Sequence, residues 1–191
     1  NQFVYAFQRL SGDRLLAAGA FTTFNGVAAN RLVRLASNGV VDTNWSIGTG
    51  FNSTVYTIEV RPDGRILAGG AFGGFNGVQR LAIARLLENG GLDTSFTPLT
   101  FSFAVNSIAT LGDGTVVVSG GFSTLVGQVR RNFAQLTVDG SNVVGGSFAP
   151  GLLSPGAVAR VLPVAGGQIV VAGNFDFANA SARSHVVRLN A

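Results

Sequence analysis

Residues 66–72 read ILAGGAF, and the same order of aliphatic run, glycine and phenylalanine returns at 15–21 (LLAAGAF), 116–122 (VVVSGGF) and 169–175 (IVVAGNF). The copies start 51, 50 and 53 residues apart. A period near fifty along a chain of 191 residues identifies a repeat protein, so the fold is settled one repeat at a time. An aliphatic run without alternation suits a strand buried on both faces. The glycine that closes it (Gly19, Gly70, Gly120, Gly173) permits either positive φ or a backbone approach that a Cβ would block. The ring two residues later (Phe21, Phe72, Phe122, Phe175) reads as a packing wedge between repeats, with a ligand-stacking platform as the alternative. As a wedge, Phe72 is worth about 3–5 kcal/mol on truncation to alanine.

Working outward, the repeats open at Val4, Val55, Val105 and Val158, each on a strand in which Val55, Thr57 and Glu59 alternate with Tyr56, Ile58 and Val60 in the second copy. Pro62-Asp63-Gly64, Gly112-Asp113-Gly114 and Ala165-Gly166-Gly167 predict three-residue hairpin turns, whereas Ser11-Gly12-Asp13 predicts another turn type. After the glycine strand come loops at Phe24-Asn25-Gly26, Phe75-Asn76-Gly77 and Leu125-Val126-Gly127. Third strands are expected at 31–35, 81–86, 132–136 and 185–189. Turns at Ser37-Asn38-Gly39, Glu88-Asn89-Gly90 and Val138-Asp139-Gly140 lead to shorter fourth strands at 41–45, 92–96 and 143–148. Four antiparallel strands per fifty residues make a propeller blade. The expected fold is therefore all-β: a β-propeller-type array of about four four-stranded antiparallel blades in one repeat domain, 1–191, with the last blade incomplete.

Composition agrees with stacked sheets: 47% hydrophobic and 12% charged residues, with 27 glycines. No apolar run approaches the roughly 18 residues of a membrane span. Asn1 stands where a methionine would, which reads as a processed or excised piece, and no signal-peptide pattern is present. The net charge is +4 and the pI 11.0, because all 13 basic residues are arginine and almost nothing titrates below them. Those arginines are scattered, Arg130-Arg131 being the one adjacent pair, so no nucleic-acid stripe is formed. The absence of cysteine excludes disulfides and thiolate chemistry.

The string Asp63-Gly64-Arg65-Ile66, Phe75-Asn76-Gly77, Ala84-Arg85-Leu86 and Leu92-Asp93-Thr94-Ser95-Phe96 resembles the bacterial delta-60 repeat, a propeller repeat. The likeness extends over nearly the whole chain and is weaker in the third and fourth repeats. The resemblance implies a secreted or cell-surface bacterial protein without a catalytic motif. The paired glycines also resemble kelch blades, although the kelch tyrosine and tryptophan positions are not matched.

Chemistry-bearing residues are few. His185 is the single histidine, set beside Val186 and Val187 on the expected third strand, and reads as a hydrogen-bonded filler. Asp63, Asp113 and Asp139 each precede a glycine and read as turn caps. Sequons at Asn44, Asn52 and Asn179 are of the kind a turn-rich sequence produces by chance. No catalytic, cofactor-binding or metal residues are assigned. The functional expectation is a non-enzymatic surface module that binds a glycan or a protein or acts as a spacer. The alternative is a subunit of an extracellular assembly, and an enzyme is the third reading. The fourth repeat stops before its fourth strand, so its edge is expected to be covered by a longer native chain or by self-association.

Comparing the repeats with one another isolates one more pair. Thirty residues after the opening valine stand Arg34, Arg85, Gln135 and Arg188; thirty-eight after it stand Asp42, Asp93 and Val143. Arginine and aspartate are kept or lost together wherever both positions exist. A three-residue loop closed by a glycine bulge places Arg34 opposite Asp42 and Arg85 opposite Asp93. Such pairs would pin the hairpin register, at about 0.2–1 kcal/mol each if exposed.

Overall fold

The computed structural model describes residues 2–122, 132–141, 158–175 and 184–189, together with the backbone of short strands at 124–125, 128–129, 177–178 and 181–182. The chain divides into two compact units, Asn1–Thr94 with the first two repeats and Ser95–Ala191 with the last two. Each repeat builds one three-stranded antiparallel sheet with the glycine strand in the middle. The strands are Val4–Arg9, Leu15–Gly19 and Leu32–Leu35 in repeat 1, and Val55–Val60, Ile66–Gly70 and Ile83–Leu86 in repeat 2. Repeat 3 has Val105–Thr110, Val116–Gly120 and Phe133–Leu136; repeat 4 has Val158–Pro163, Ile169–Gly173 and Val186–Leu189. Among the described residues the helical elements are two 3-10 turns, and no helix is long and apolar enough to cross a membrane.

Several expected details change. The Asn-Gly loop is itself a small hairpin, Thr23–Phe24 with Val27–Ala28 and Gly74–Phe75 with Val78–Gln79. Asn25 and Gly26 have φ of 47° and 82°, and Asn76 and Gly77 have 48° and 77°, the paired left-handed residues of a type I′ turn. The fourth strand contracts to a single bridge, Leu35 to Val41 in repeat 1 and Leu86 to Leu92 in repeat 2, while 143–148 lies outside the described residues. The chain turns away there because Asp42 caps the amide of Asn44, closing a turn instead of extending the ladder.

The turn after the first strand also sorts differently. In repeats 2 and 3 the amides of Gly64 and Gly114 donate to Arg61 and Leu111, and each glycine is left-handed. Ala165–Gly167 instead forms a 3-10 turn like Ser11–Asp13, with left-handed residues at two successive positions: Gly12 and Asp13, Gly166 and Gly167. Repeat 4 therefore groups with repeat 1. The alternation expected in the first strand is interrupted by a bulge after the opening valine, since Val55 faces Gly70 but Thr57 faces Gly69.

Packing within each unit joins consecutive repeats. In the first, Leu16, Ala18 and Leu32 of repeat 1 share a core with Ile58, Ile66, Ala68 and Ala84 of repeat 2. In the second, Ala109, Val117 and Phe133 of repeat 3 share one with Val161, Ile169 and Val171 of repeat 4. Phe72 and Phe175 sit in these shared cores, and Phe21, Phe72, Phe122 and Phe175 are all buried. Phe51, on the segment entering repeat 2, stacks against Phe72 with ring centres 4.5 Å apart, and Phe101 meets Phe122 at 4.9 Å.

Candidate functional site

The glycine–phenylalanine motif is held by a backbone clamp present in all four repeats. The residue before the third strand (Arg31, Ala82, Asn132, His185) is left-handed, with φ between 63° and 69°. Its amide donates to the carbonyl of the motif phenylalanine (Phe21, Phe72, Phe122, Phe175) at 2.8–2.9 Å. Its carbonyl accepts from the amide of the motif glycine (Gly19, Gly70, Gly120, Gly173) at 2.9–3.1 Å. This break delays the third strand by one residue, or by two in repeat 2, relative to expectation. His185 is thus not a strand residue: its side chain is exposed, and its backbone does the work. A Cβ added to Gly19, Gly70 or Gly120 would lie 2.0–2.1 Å from the carbonyl oxygen before the opening valine, so close approach, not positive φ, demands glycine there.

The second construction is the arginine–aspartate pair. Arg34 Nε donates to Asp42 Oδ2 at 2.9 Å and Arg85 Nε donates to Asp93 Oδ2 at 2.8 Å. The amide of each aspartate also donates to the carbonyl of its arginine at 2.9 Å, which places both on the expected register. The repeats then diverge through a residue the sequence comparison passed over, ten after the opening valine: Arg14, Arg65, Thr115 and Gln168. Arg65 Nε joins Arg85 on the same oxygen of Asp93 at 3.0 Å, making a three-member cluster whose aspartate is buried. In repeat 3 the neutral Gln135 donates to Thr115 at 2.8 Å. In repeat 1, Arg14 turns away from Asp42 and donates to the carbonyl and hydroxyl of Ser11.

Arg14 also lines a cleft. Between repeats 1 and 2 lies a cavity of about 480 Å³, floored by Leu10, Leu16, Val60 and Ile66. Arg9, Arg14, Arg34 and Arg61 line it against the carboxylates of Asp63 and Glu88. The Arg34 guanidinium lies 5.4 Å from the centre of the Trp45 ring, and Trp45 Nε1 donates to the Glu88 carbonyl at 2.9 Å, which fixes the indole as a wall. Arg9 pairs with Asp13 on the exposed rim. Burial draws the Asp63 carboxyl upward, but bonds from the Arg65 amide and guanidinium outweigh it and leave Asp63 below the ordinary carboxylate range. Asp63 thus stays ionised and is engaged by Arg65 and, at 4.0 Å, by Arg61, while Arg34 is paired with Asp42.

The remaining candidate aspartates act in turns. Asp63, Asp113 and Asp139 accept from the amides two residues on, at 3.0, 2.9 and 3.1 Å. The Thr137 hydroxyl, then the Ser141 amide and hydroxyl, hold Asp139 down to about 2. Asn52 accepts from the amides of Gly73 and Gly74, so its side chain ties two loops together. Among the described residues no three of His, Cys, Asp and Glu converge as metal ligands.

Comparison with known proteins places this architecture. The profile described as "Domain of unknown function (DUF5122) beta-propeller" matches residues 13–44, 61–96, 111–141 and 167–191. No curated protein matches the chain. Among solved structures, the WD40 β-propeller domain of Doa1 is similar at 18% identity, with a TM-score of 0.60 over 97% of this chain and 50% of that one. The extracellular domain of the putative one component system BT4673 from B. thetaiotaomicron is similar at 12% identity, with a TM-score of 0.55 over 97% of this chain and 21% of that one. A second structure of an extracellular domain, titled as the putative hybrid two component system BT4673, gives 12%, 0.52, 99% and 21%. The chain spans half or less of the length of each.

Proposed function

The chain belongs to the DUF5122 beta-propeller family, and from that premise we propose that it is a non-enzymatic recognition module working outside a bacterial cell, with the cleft between repeats 1 and 2 as its ligand site. The ligand class is an acidic glycan. The observation that carries this reading is the convergence of Arg9, Arg14, Arg34 and Arg61 on one apolar-floored cleft beside Trp45. Guanidinium forks match carboxylates in a bidentate manner, and a fixed aromatic wall beside them offers the apolar face of a sugar a surface. The volume lies within the range of small-ligand clefts. Catalysis finds no support in the same place, because the Asp63 carboxylate is engaged by Arg65 and no histidine lines the cleft. The extracellular placement is supported by the neighbours from B. thetaiotaomicron and by the delta-60 likeness of the second repeat, which is also the finer family assignment we favour.

Calorimetric titration with galacturonate oligosaccharides against neutral galactose oligosaccharides tests the site. Preferential binding of the acidic series is expected, weakening as salt rises and falling roughly tenfold or more in Arg14→Ala and Arg61→Ala. Equal binding of the two series, or acidic binding indifferent to both substitutions, would remove the cleft as the site.

A further inference from the structure

At the other end of the strands that carry the arginine cleft, the first unit holds a second cavity, of about 420 Å³. The cleft is built on Val60, Ile66 and the turn between their strands. This cavity is built instead on the link 49–52 that enters Val55–Val60 and on the hairpin that follows Ile66–Gly70. Asn30, Arg31, Thr49, Asn52 and Asn76 line it together with the buried ring of Phe51. No carboxylate does, and Arg31 is the single charged residue of the lining.

The asparagines are held so that they offer donors. Asn52 Oδ1 accepts from the amides of Gly73 and Gly74 at 2.9 and 3.1 Å. Asn76 Oδ1 accepts from the Gly50 amide at 2.8 Å and the Thr49 hydroxyl at 3.0 Å. A backbone amide can only donate, so reversing either side chain would set one donor against another, and each orientation is fixed. The Nδ2 groups of both are left without a partner among the described residues. Arg31 Nη1 donates to the Phe51 carbonyl and to Asn30 Oδ1, both at 3.3 Å, and Asn30 Nδ2 donates to the Thr49 carbonyl at 2.8 Å. Nη2 of Arg31 makes no such bond, Nε is buried without one, and the guanidinium has no ion pair among the described residues.

The fold does not ask for these side chains. One repeat further on, the positions of Asn30, Arg31, Thr49, Asn52 and Asn76 hold Leu81, Ala82, Leu99, Ser102 and Val126. Ala82 closes the backbone clamp as Arg31 does, with φ of 63° against 69° and the same pair of main-chain bonds. The guanidinium is therefore superfluous to the clamp, and it stands where amide donors gather.

We propose that this cavity is a second ligand site and that it takes a carboxylate. A guanidinium nitrogen and two amide groups, with no acid opposed to them, complement a group that only accepts. One fixed cation also matches one negative charge, whereas a phosphate dianion would bring a second charge that nothing in the lining neutralises. A free organic acid and a sugar acid both present the carboxylate, and experiment separates them. The site shares no lining residue with the arginine cleft and does not depend on it.

Nitrogen–proton correlation NMR of the 191-residue chain reads the site through the side-chain amide signals of Asn52 and Asn76. Acetate, galacturonate, galactose and inorganic phosphate are titrated at constant ionic strength up to roughly 20 mM. Saturating shifts of both signals are expected with the two acids and not with galactose, and affinity should fall roughly tenfold or more in Arg31→Ala. Equal affinity for the acids identifies a free organic acid as the ligand class, tighter galacturonate identifies a sugar acid, and either supports the site. Ala82 and Asn132 show that alanine and asparagine fit this left-handed position, so Arg31→Asn replaces Arg31→Ala if dichroism finds the latter unfolded. The indole signal of Trp45 reports on the arginine cleft, so the two sites succeed or fail separately. Asn52 and Asn76 signals unmoved by both acids would overturn the proposal. So would galactose or phosphate bound as tightly as the acids, or acid binding indifferent to the folded Arg31 variants.

Discussion

Replacing Asp93 by asparagine asks whether the arginine cluster of repeat 2 is structural. The substitution keeps shape and one acceptor oxygen but removes the charge that Arg85 at 2.8 Å and Arg65 at 3.0 Å share. The side chains of Asp93 and Arg85 are only 5% and 8% exposed, so the solvent screening that limits surface pairs does not apply. Removing one partner from a buried ion pair costs about 3–5 kcal/mol. The same change at Asp42, whose pair is more exposed and has one arginine instead of two, should cost about 1–2 kcal/mol. In repeat 3 the neutral Gln135–Thr115 bond predicts about 1 kcal/mol for Gln135→Ala. Urea unfolding followed by tryptophan fluorescence and dichroism measures all three, and the ranking Asp93, Asp42, Gln135 is the expected outcome. A change within 1 kcal/mol at Asp93, or a larger loss at Asp42, would refute the argument that burial and the second arginine set the size of the effect.

Two further outcomes follow from single groups. Gly70→Ala puts a Cβ 2.1 Å from the Thr54 oxygen, which also accepts the Ala71 amide, so the first strand must shift; a loss of about 2–4 kcal/mol in urea unfolding is expected. Asp139 has a folded value near 2 against an ordinary 3.8; its contribution is present above about 3.8 and is lost as pH falls through about 2. Melting curves between those limits should show wild type losing its advantage over Asp139→Asn, and a difference independent of pH would count against the Thr137 and Ser141 bonds.

What could be read from the chain beforehand depended on whether a role needs a particular side chain. The glycine and phenylalanine recur because a Cβ cannot fit at the first and a small residue would leave a void at the second, so four copies betray them. Arginine and aspartate were legible as a pair because repeat 3 loses both together. The left-handed residue of the clamp was not, since it is arginine, alanine, asparagine and histidine in turn and only its backbone is used. Asn25-Gly26 and Asn76-Gly77 did carry the hairpin signal, but strands of two residues are too short for alternation to show them. The cleft was hidden for another reason: Arg9, Arg14 and Arg34 come from one repeat and Arg61 from the next, so linear spacing leaves them scattered.

The arginines thus divide by what the neighbouring residue allows. In repeat 2 the guanidinium ten residues after the opening valine closes on a buried aspartate and is spent on the hairpin. In repeat 1 its counterpart is drawn to Ser11, a residue belonging to the 3-10 turn that replaces the Pro-Asp-Gly type. Turn type therefore controls whether this arginine serves stability or faces a cleft. A chain in which residues 11–13 became Pro-Asp-Gly should recapture Arg14, in the way Asp63 and Asp93 engage Arg65, and lose a cation from the site without touching its apolar floor. The local geometry of one three-residue loop is then the physical difference between a repeat whose arginine is held on its hairpin aspartate and one whose arginine lines the cleft.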